Sequence, residues 1–172
     1  NIGCKKSKGE ILVFVSAHVY PLKNNWLEKL VKPLSNNNVM VSYGRQIWDD
    51  ETKFSEKQIF KKWFPDKSYS SNDNYFCNNA NCSIRRKIWK KYEFDEELTG
   101  LEDLDLAKKI VDNKIGKISY VSDAEIVHVH DENWIQIRNR YRRESIALFK
   151  INSNLRIKLL QCFFLFIGNV FS

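Results

Sequence analysis

With 172 residues, 43% of them hydrophobic and 13% aromatic, the chain has the size of one domain and enough apolar side chain for a packed core, which excludes a disordered protein. Lys and Arg number 28 against 21 Asp and Glu, a net charge of +7 that suits nucleic acid, acidic headgroups or nucleotide phosphates alike. Four cysteines, at 4, 77, 82 and 162, show no repeated paired spacing, so they read as thiols of a reducing compartment and not as a disulfide scaffold. The chain opens on Asn1 and its single methionine is Met40, so the expectation is a piece of a longer protein.

In chain order, Ile11-Leu12-Val13-Phe14-Val15 is an unbroken apolar run of strand length, the pattern of a strand covered on both faces in a parallel sheet. A second such run is Val39-Met40-Val41-Ser42-Tyr43. Between them Asn25 is placed to cap a helix with Leu27, Leu30, Val31 and Leu34 on one stripe, making a βαβ-like unit and hence an α/β architecture. The stretch from Ile47 to Asn74 is loop-like, broken by a short helix that a Ser55/Gln58 capping box would open. Ser83 is expected to open a basic helix through Tyr92, and Thr99 with Glu102 a further helix that Gly116 ends. Two short strands, around 118–121 and 126–129, precede a long basic helix from about Trp134 to Lys150. Beyond it, Leu159 to Ile167 is strongly apolar but shorter than a bilayer span, with Arg156 and Lys158 just before it. An interfacial helix and a packed helix fit it equally.

Several residues stand where chemistry is expected. Ser16-Ala17-His18 follows the first strand, and ligands of open α/β sheets bind beyond the carboxyl ends of strands. An imidazole there can ligate a divalent metal or serve as a surface hydrogen-bonding group. Glu102 and Asp103 would sit in the first turn of a helix, where acids favour the dipole; Asp103 could also act as a general base. His128-Val129-His130 points two imidazoles to one face of a strand, within reach of a metal. A zinc site of Cys77, Cys82, His128 and His130 is the competing set, at a spacing unlike common zinc motifs. The basic helix around Arg138 to Arg143 reads as a solvated face or as a surface for pyrophosphate or anionic membrane; no nucleic-acid module accompanies it.

Taken in order, these pieces resemble family 2 glycosyltransferases. Gly9 to His18, with Pro21 and Trp26-Leu27, is similar to that family's central strand, metal motif and helix. Tyr43-Gly44-Arg45-Gln46, Phe64-Pro65, Asn79-Ala80-Asn81 and Ile84-Arg85-Arg86 resemble its rhamnosyltransferase-like branch. Phe94-Asp95-Glu96, Glu102-Asp103 and Ala124-x-x-Val127-His128-x-His130 complete the likeness, over about residues 1–150.

The resemblance implies a GT-A, Rossmann-like α/β fold, incomplete here, with a mixed, largely parallel sheet flanked by helices. It also implies a division into 1–150, the metal- and acceptor-side part of the domain, and 151–172, a C-terminal apolar helix. The activity implied is inverting transfer of a sugar, rhamnose or another hexose, from a nucleoside diphosphate sugar to a hydroxyl of a glycan or lipid-linked saccharide in surface polysaccharide synthesis. By this likeness Asp103 is the base, and Glu102, Asn79 and Asn81 meet the acceptor. His18, at the last position of the family's D-x-D motif, joins His128 and His130 on a divalent metal, Mg or Mn, while Ser16 and Ala17 adjoin the donor. The strands that build the nucleotide pocket would precede Asn1, so the chain alone is expected to be inactive. A cytoplasmic location with peripheral contact to the membrane is the corresponding expectation. The rival reading is a non-catalytic carbohydrate- or lipid-headgroup-binding domain of the same fold.

Overall fold

The computed structural model describes residues 1–129 and 131–152. His130 and the apolar segment from Leu159 lie outside them, as does nearly all of the expected 151–172 helix.

Six strands make one mixed sheet: β1 (Ile11–Val15), β2 (Val19–Pro21), β3 (Val39–Ile47), β4 (Tyr69–Ser71), β5 (Asn81–Arg85) and β6 (Lys117–His128). Their spatial order is β1-β5-β3-β6-β2, with β4 also paired to β6. Around them lie α1 (Ile2–Lys6), α2 (Trp26–Val31) with a 3-10 turn over Lys32–Ser35, α3 (Phe54–Trp63), α4 (Arg86–Lys91), α5 (Glu102–Asp112) and α6 (Trp134–Ile151).

The expected α/β sheet flanked by helices is the one observed, with a smaller parallel share. Among the described residues only β3 and β6 pair in parallel, while β1/β5, β3/β5, β2/β6 and β4/β6 are antiparallel. Both β1 and β3 oppose β5, so β1, β3 and β6 still point the same way and Val15, Ile47 and His128 finish at one end of the sheet. Apolar runs signal burial; they do not reveal that β5 inserts between two co-directional strands.

Alternation along the strands sends Val41, Tyr43, Cys82, Ile84, Ile118 and Tyr120 to one face, where Leu106, Ala107 and Ile110 of α5, Phe60 of α3 and Phe64 just after it complete the core. On the opposite face the small Ser42 and Ser83 let α2 approach, and the Ser83 hydroxyl donates to the Leu30 carbonyl. Each fully buried Leu or Ile contributes about 1.5–3 kcal/mol relative to exposure.

Several local expectations change. β1 is an edge strand: Leu12 is buried but Ile11, Val13 and Val15 are exposed, so only one of its faces is covered. The strand over Asn81–Arg85 replaces the first turns of the helix expected from Ser83, because this segment completes the sheet between β1 and β3. Neither proposed capping box forms. The hydroxyl of Thr99 donates to the Arg143 carbonyl, and α5 starts after Leu101, held at φ 60°. Likewise α3 starts at Phe54, with Lys53 drawn to the Glu132 carbonyl. The capping box that does form is Asn133 with Gln136, at the start of α6. At its other end α5 stops at Asp112, and Gly116 serves close packing, since a Cβ there would stand 2.5 Å from the Asn38 carbonyl oxygen. The two short strands near residues 118 and 126 are one strand, β6, whose register slips between Val121 and Ile126. That slip hands its antiparallel edge from β4 to β2.

Candidate functional site

Two clusters form where β1, β3 and β6 end. In the first, the chain turns at Ala17-His18 and returns as β2, which places Val19 opposite His128. This reversal carries His18 to His128, Nε2 to Nε2 at 2.8 Å, with the rings 4.7 Å apart. The Val129 amide donates to the His18 carbonyl at 3.1 Å, fixing the turn. Gln46, buried near the end of β3, accepts from His128 Nδ1 through Oε1 at 2.7 Å. With the proton on Nδ1, the Nε2 lone pair of His128 faces His18. Phe60 stands edge-on to the His128 ring at 6.1 Å.

Two imidazole nitrogens are the donors present for the divalent cation that the sequence resemblance implies, and a cation there would replace the proton they share. Two imidazole nitrogens converge, and the tautomer of one is set by a buried amide, the arrangement that keeps ligand nitrogens aimed. Imidazoles in place of carboxylates favour manganese over magnesium, which prefers oxygen donors. No group of three His, Cys, Asp or Glu side chains converges among the described residues. Ser16 lies beside His18, its amide donating to the Ala80 carbonyl at 3.4 Å, and Ala17 is exposed at the turn.

The second cluster is built by α5. Leu101 in the left-handed region turns the chain so that Glu102 and Asp103 open the helix, where its dipole favours negative charge. Asp103 is buried, and its two carboxylate oxygens accept the amides of Asn79 (2.7 Å) and Leu104 (2.8 Å). Burial, reinforced by the neighbouring Glu102 charge, pushes Asp103 up to about 6 against the opposing pull of those amides. The Asn79 side-chain amide donates to Glu102 at 3.4 Å, so Asn79 touches both carboxylates. Asn79 Oδ1 is buried and finds no hydrogen-bond partner among the described residues. Phe14, Val15, Asn79, Phe94, Glu96 and Glu102 line an open cavity of about 540 Å³.

Asn81 is placed differently from the expected acceptor-side loop. It opens β5, fully buried: Nδ2 donates to the carbonyls of Ala124 (2.8 Å) and Arg45 (3.2 Å), and Oδ1 accepts from Trp26 Nε1 (2.9 Å). The side chain ties β3, β6 and α2 together by partnering the buried Ala124 carbonyl and the half-buried Arg45 carbonyl and Trp26 indole. Cys77 and Cys82 belong to the core, the Cys77 thiol donating to the Asp103 carbonyl at 3.2 Å.

Sequence reading named Gln46 only within the Tyr43 to Gln46 motif and gave it no role, although its place near the carboxyl end of a central strand is the signal that flagged His18. It also missed the network that links α3 to α6. Buried Glu56 accepts from Arg140 and from the Tyr141 hydroxyl, both at 2.6 Å, and Arg140 reaches Glu132 at 2.8 Å. These bonds join α3 to α6 and pin the segment that leaves β6.

A mixed sheet with helices on both faces is the architecture of a GT-A glycosyltransferase domain. The model of Glycosyl transferase family 2 matches residues 1–93, and the chain belongs to that family. Among solved structures it is similar to GalNAc-T7 with UDP, GalNAc and Mn2+, at 17% identity and a TM-score of 0.54, over 84% of this chain and 33% of that one. It is also similar to a mycobacterial protein, at 13% identity and a TM-score of 0.58, over 87% of this chain and 48% of that one. At these identities the likeness is one of fold, and this chain spans about a third and about half of the two structures' lengths. No curated protein matches the chain.

Proposed function

We propose that the protein carrying this chain transfers a sugar from a nucleoside diphosphate sugar to an acceptor hydroxyl with inversion. Residues 1–150 serve as the metal- and acceptor-side part of the domain. The observation that carries the reading is a cavity lined by Asn79 and Glu102, with the buried Asp103 carboxylate held behind them by the Asn79 amide, at the same end of the sheet as the His18–His128 pair.

In this mechanism the acceptor hydroxyl enters the cavity, where Asn79 and Glu102 offer hydrogen bonds to sugar hydroxyls. Asp103, ionised above about pH 6, takes the hydroxyl proton as the oxygen attacks the anomeric carbon. The new carbon–oxygen bond forms on the face opposite the leaving group, while the bond from that carbon to the diphosphate oxygen breaks. The nucleoside diphosphate departs with the electron pair. His18 and His128 would hold a divalent cation which, when bound, neutralises charge on the leaving diphosphate. UDP and Mn2+ in the GalNAc-T7 structure support a nucleotide donor and a manganese-type cation for this fold.

The finer reading is a rhamnose or related hexose donor, with a glycan or lipid-linked saccharide acceptor in polysaccharide synthesis. It includes a cytoplasmic setting with peripheral membrane contact. Its support is the branch-like motifs at Tyr43 to Gln46 and Asn79 to Arg86, together with the net charge of +7. The test is release of nucleoside diphosphate from a panel of nucleotide sugars by the complete protein, with deoxyhexose donors expected to give the highest rate. Highest release from a donor outside the hexoses would remove the finer reading, and none from any donor would leave a binding domain.

A further inference from the structure

A helix lying on a domain surface normally turns its polar side outward. α6 does not. Its inner stripe, with Ile137 and Ala147 buried and Tyr141 half-buried, packs on the domain. Its opposite stripe carries Ile135, Arg138, Arg142, Ile146 and Phe149, spaced by three or four residues and all exposed. Ile135 is 70% exposed, Phe149 62% and Ile146 44%, with no acidic residue between them on that face. The neighbouring Glu144 is half-buried and leans toward Arg140, 3.9 Å away.

At the amino end of α6 the apolar surface widens. The Lys53 ammonium lies over the Trp134 ring at 5.7 Å, and Phe54 follows in the chain. Trp134 is 67% exposed and Phe54 77%, so two aromatic side chains project beside a fixed lysine. Single exposed apolar residues need no explanation, but a stripe ending in an aromatic pair does.

We propose that this stripe, together with Phe54 and Trp134, rests on the surface of a bilayer containing anionic phospholipid. The chemistry is complementary on both counts. Ile135, Ile146, Phe149 and the two aromatics suit the boundary between headgroups and acyl chains, where tryptophan concentrates. Arg138 and Arg142, both exposed, lay their stems along that boundary and turn their charges to phosphate. A protein partner fits less well, since charged residues are depleted from the centres of protein interfaces and here arginines interrupt the apolar row. No described helix is long and apolar enough to cross a membrane, so α6 would lie along the surface. The inference deepens the membrane contact in the reading above, and vesicle binding can fail or succeed whatever sugar transfer does.

The test is co-sedimentation of the complete protein with vesicles of phosphatidylcholine alone and of phosphatidylcholine mixed with phosphatidylglycerol. Binding is expected on the mixed vesicles and to weaken with salt. It should drop about tenfold or more in the Ile135→Ser/Phe149→Ser variant, and lose its salt sensitivity in Arg138→Ser/Arg142→Ser. The apolar variant Ile135→Leu/Phe149→Leu should bind as wild type does, showing that the serine pair acts through hydrophobicity. Wild-type binding by the serine variant would overturn the proposal and assign the membrane contact to the segment beyond residue 152. Equal binding to both vesicle types, no binding to either, or a loss of self-association in place of a loss of vesicle binding would overturn it as well.

Discussion

His18 Nε2 and His128 Nε2 stand 2.8 Å apart although 110 residues separate them in the chain. The β1–β2 reversal supplies one imidazole and the end of β6 the other. Gln46 from β3 supplies the amide that fixes the His128 tautomer, so three co-operating elements deliver one pair of nitrogen donors.

Manganese binding by the complete protein should therefore depend on all three side chains. His18→Ala or His128→Ala is expected to reduce binding below detection in isothermal titration calorimetry. Gln46→Ala should weaken it by about 10-fold to 100-fold, because the imidazole loses its orienting partner. Affinities unchanged in the two histidine variants would remove the pair as ligands.

Asp103 carries the pH dependence. Its folded-state value of about 6 exceeds the ordinary carboxylate value of about 4. A raised carboxyl favours the protonated folded form, so its stabilising effect is complete below about pH 4 and is lost as the pH climbs through about 6. Activity should run the other way, with kcat/KM falling about tenfold per pH unit below about 6 as the base protonates. Since the Glu102 charge helps raise Asp103, Glu102→Gln is expected to move that acidic limb to lower pH while retaining turnover. A limb that stays in place would show that Asp103 does not set it.

What was legible in the sequence was mostly what depends on residues near one another along the chain. The apolar run Val39 to Tyr43 announces a buried strand, and Ser16-Ala17-His18, because it follows a strand, announces the turn that brings His18 to His128. The sheet order was not legible, since nothing within Asn81–Arg85 tells that it will lie between β1 and β3. Asn81 illustrates the same limit: its partners Trp26, Arg45 and Ala124 come from three distant segments, so a structural asparagine looked like an acceptor contact. Thr99 and Glu102 have the spacing of a capping box, but the Arg143 carbonyl from α6 takes the threonine hydroxyl.

Loss of the Asn81 side chain should be felt in stability before activity. Asn81→Ala removes the partner of the buried Ala124 carbonyl and of the half-buried Arg45 carbonyl and Trp26 indole N–H, and about 2–4 kcal/mol of destabilisation is expected from urea unfolding. Gly44→Ala should act on the same knot, because a Cβ at Gly44 would lie 2.2 Å from Asn81 Nδ2 and 2.3 Å from the Ala124 carbonyl oxygen. A midpoint shift of less than about 0.5 kcal/mol equivalent in both would contradict the role given to Asn81.

Glu56→Ala removes the buried acceptor shared by Arg140 and Tyr141 and leaves the guanidinium half-buried with one carboxylate fewer. A loss of about 3 kcal/mol is expected. Hydrogen exchange should quicken first in the opening turns of α6, where the network attaches. Uniform exchange across the chain would indicate that the network supports the whole fold and not that junction.

The most direct measurement is the single-turnover rate of sugar transfer by the complete protein, wild type against Asp103→Asn, at saturating donor, acceptor and manganese and at a pH above 6. A fall of at least about a hundredfold, with folding and donor binding retained, is predicted for loss of the general base. Transfer undiminished in Asp103→Asn would contradict the assignment of Asp103 and the mechanism built on it.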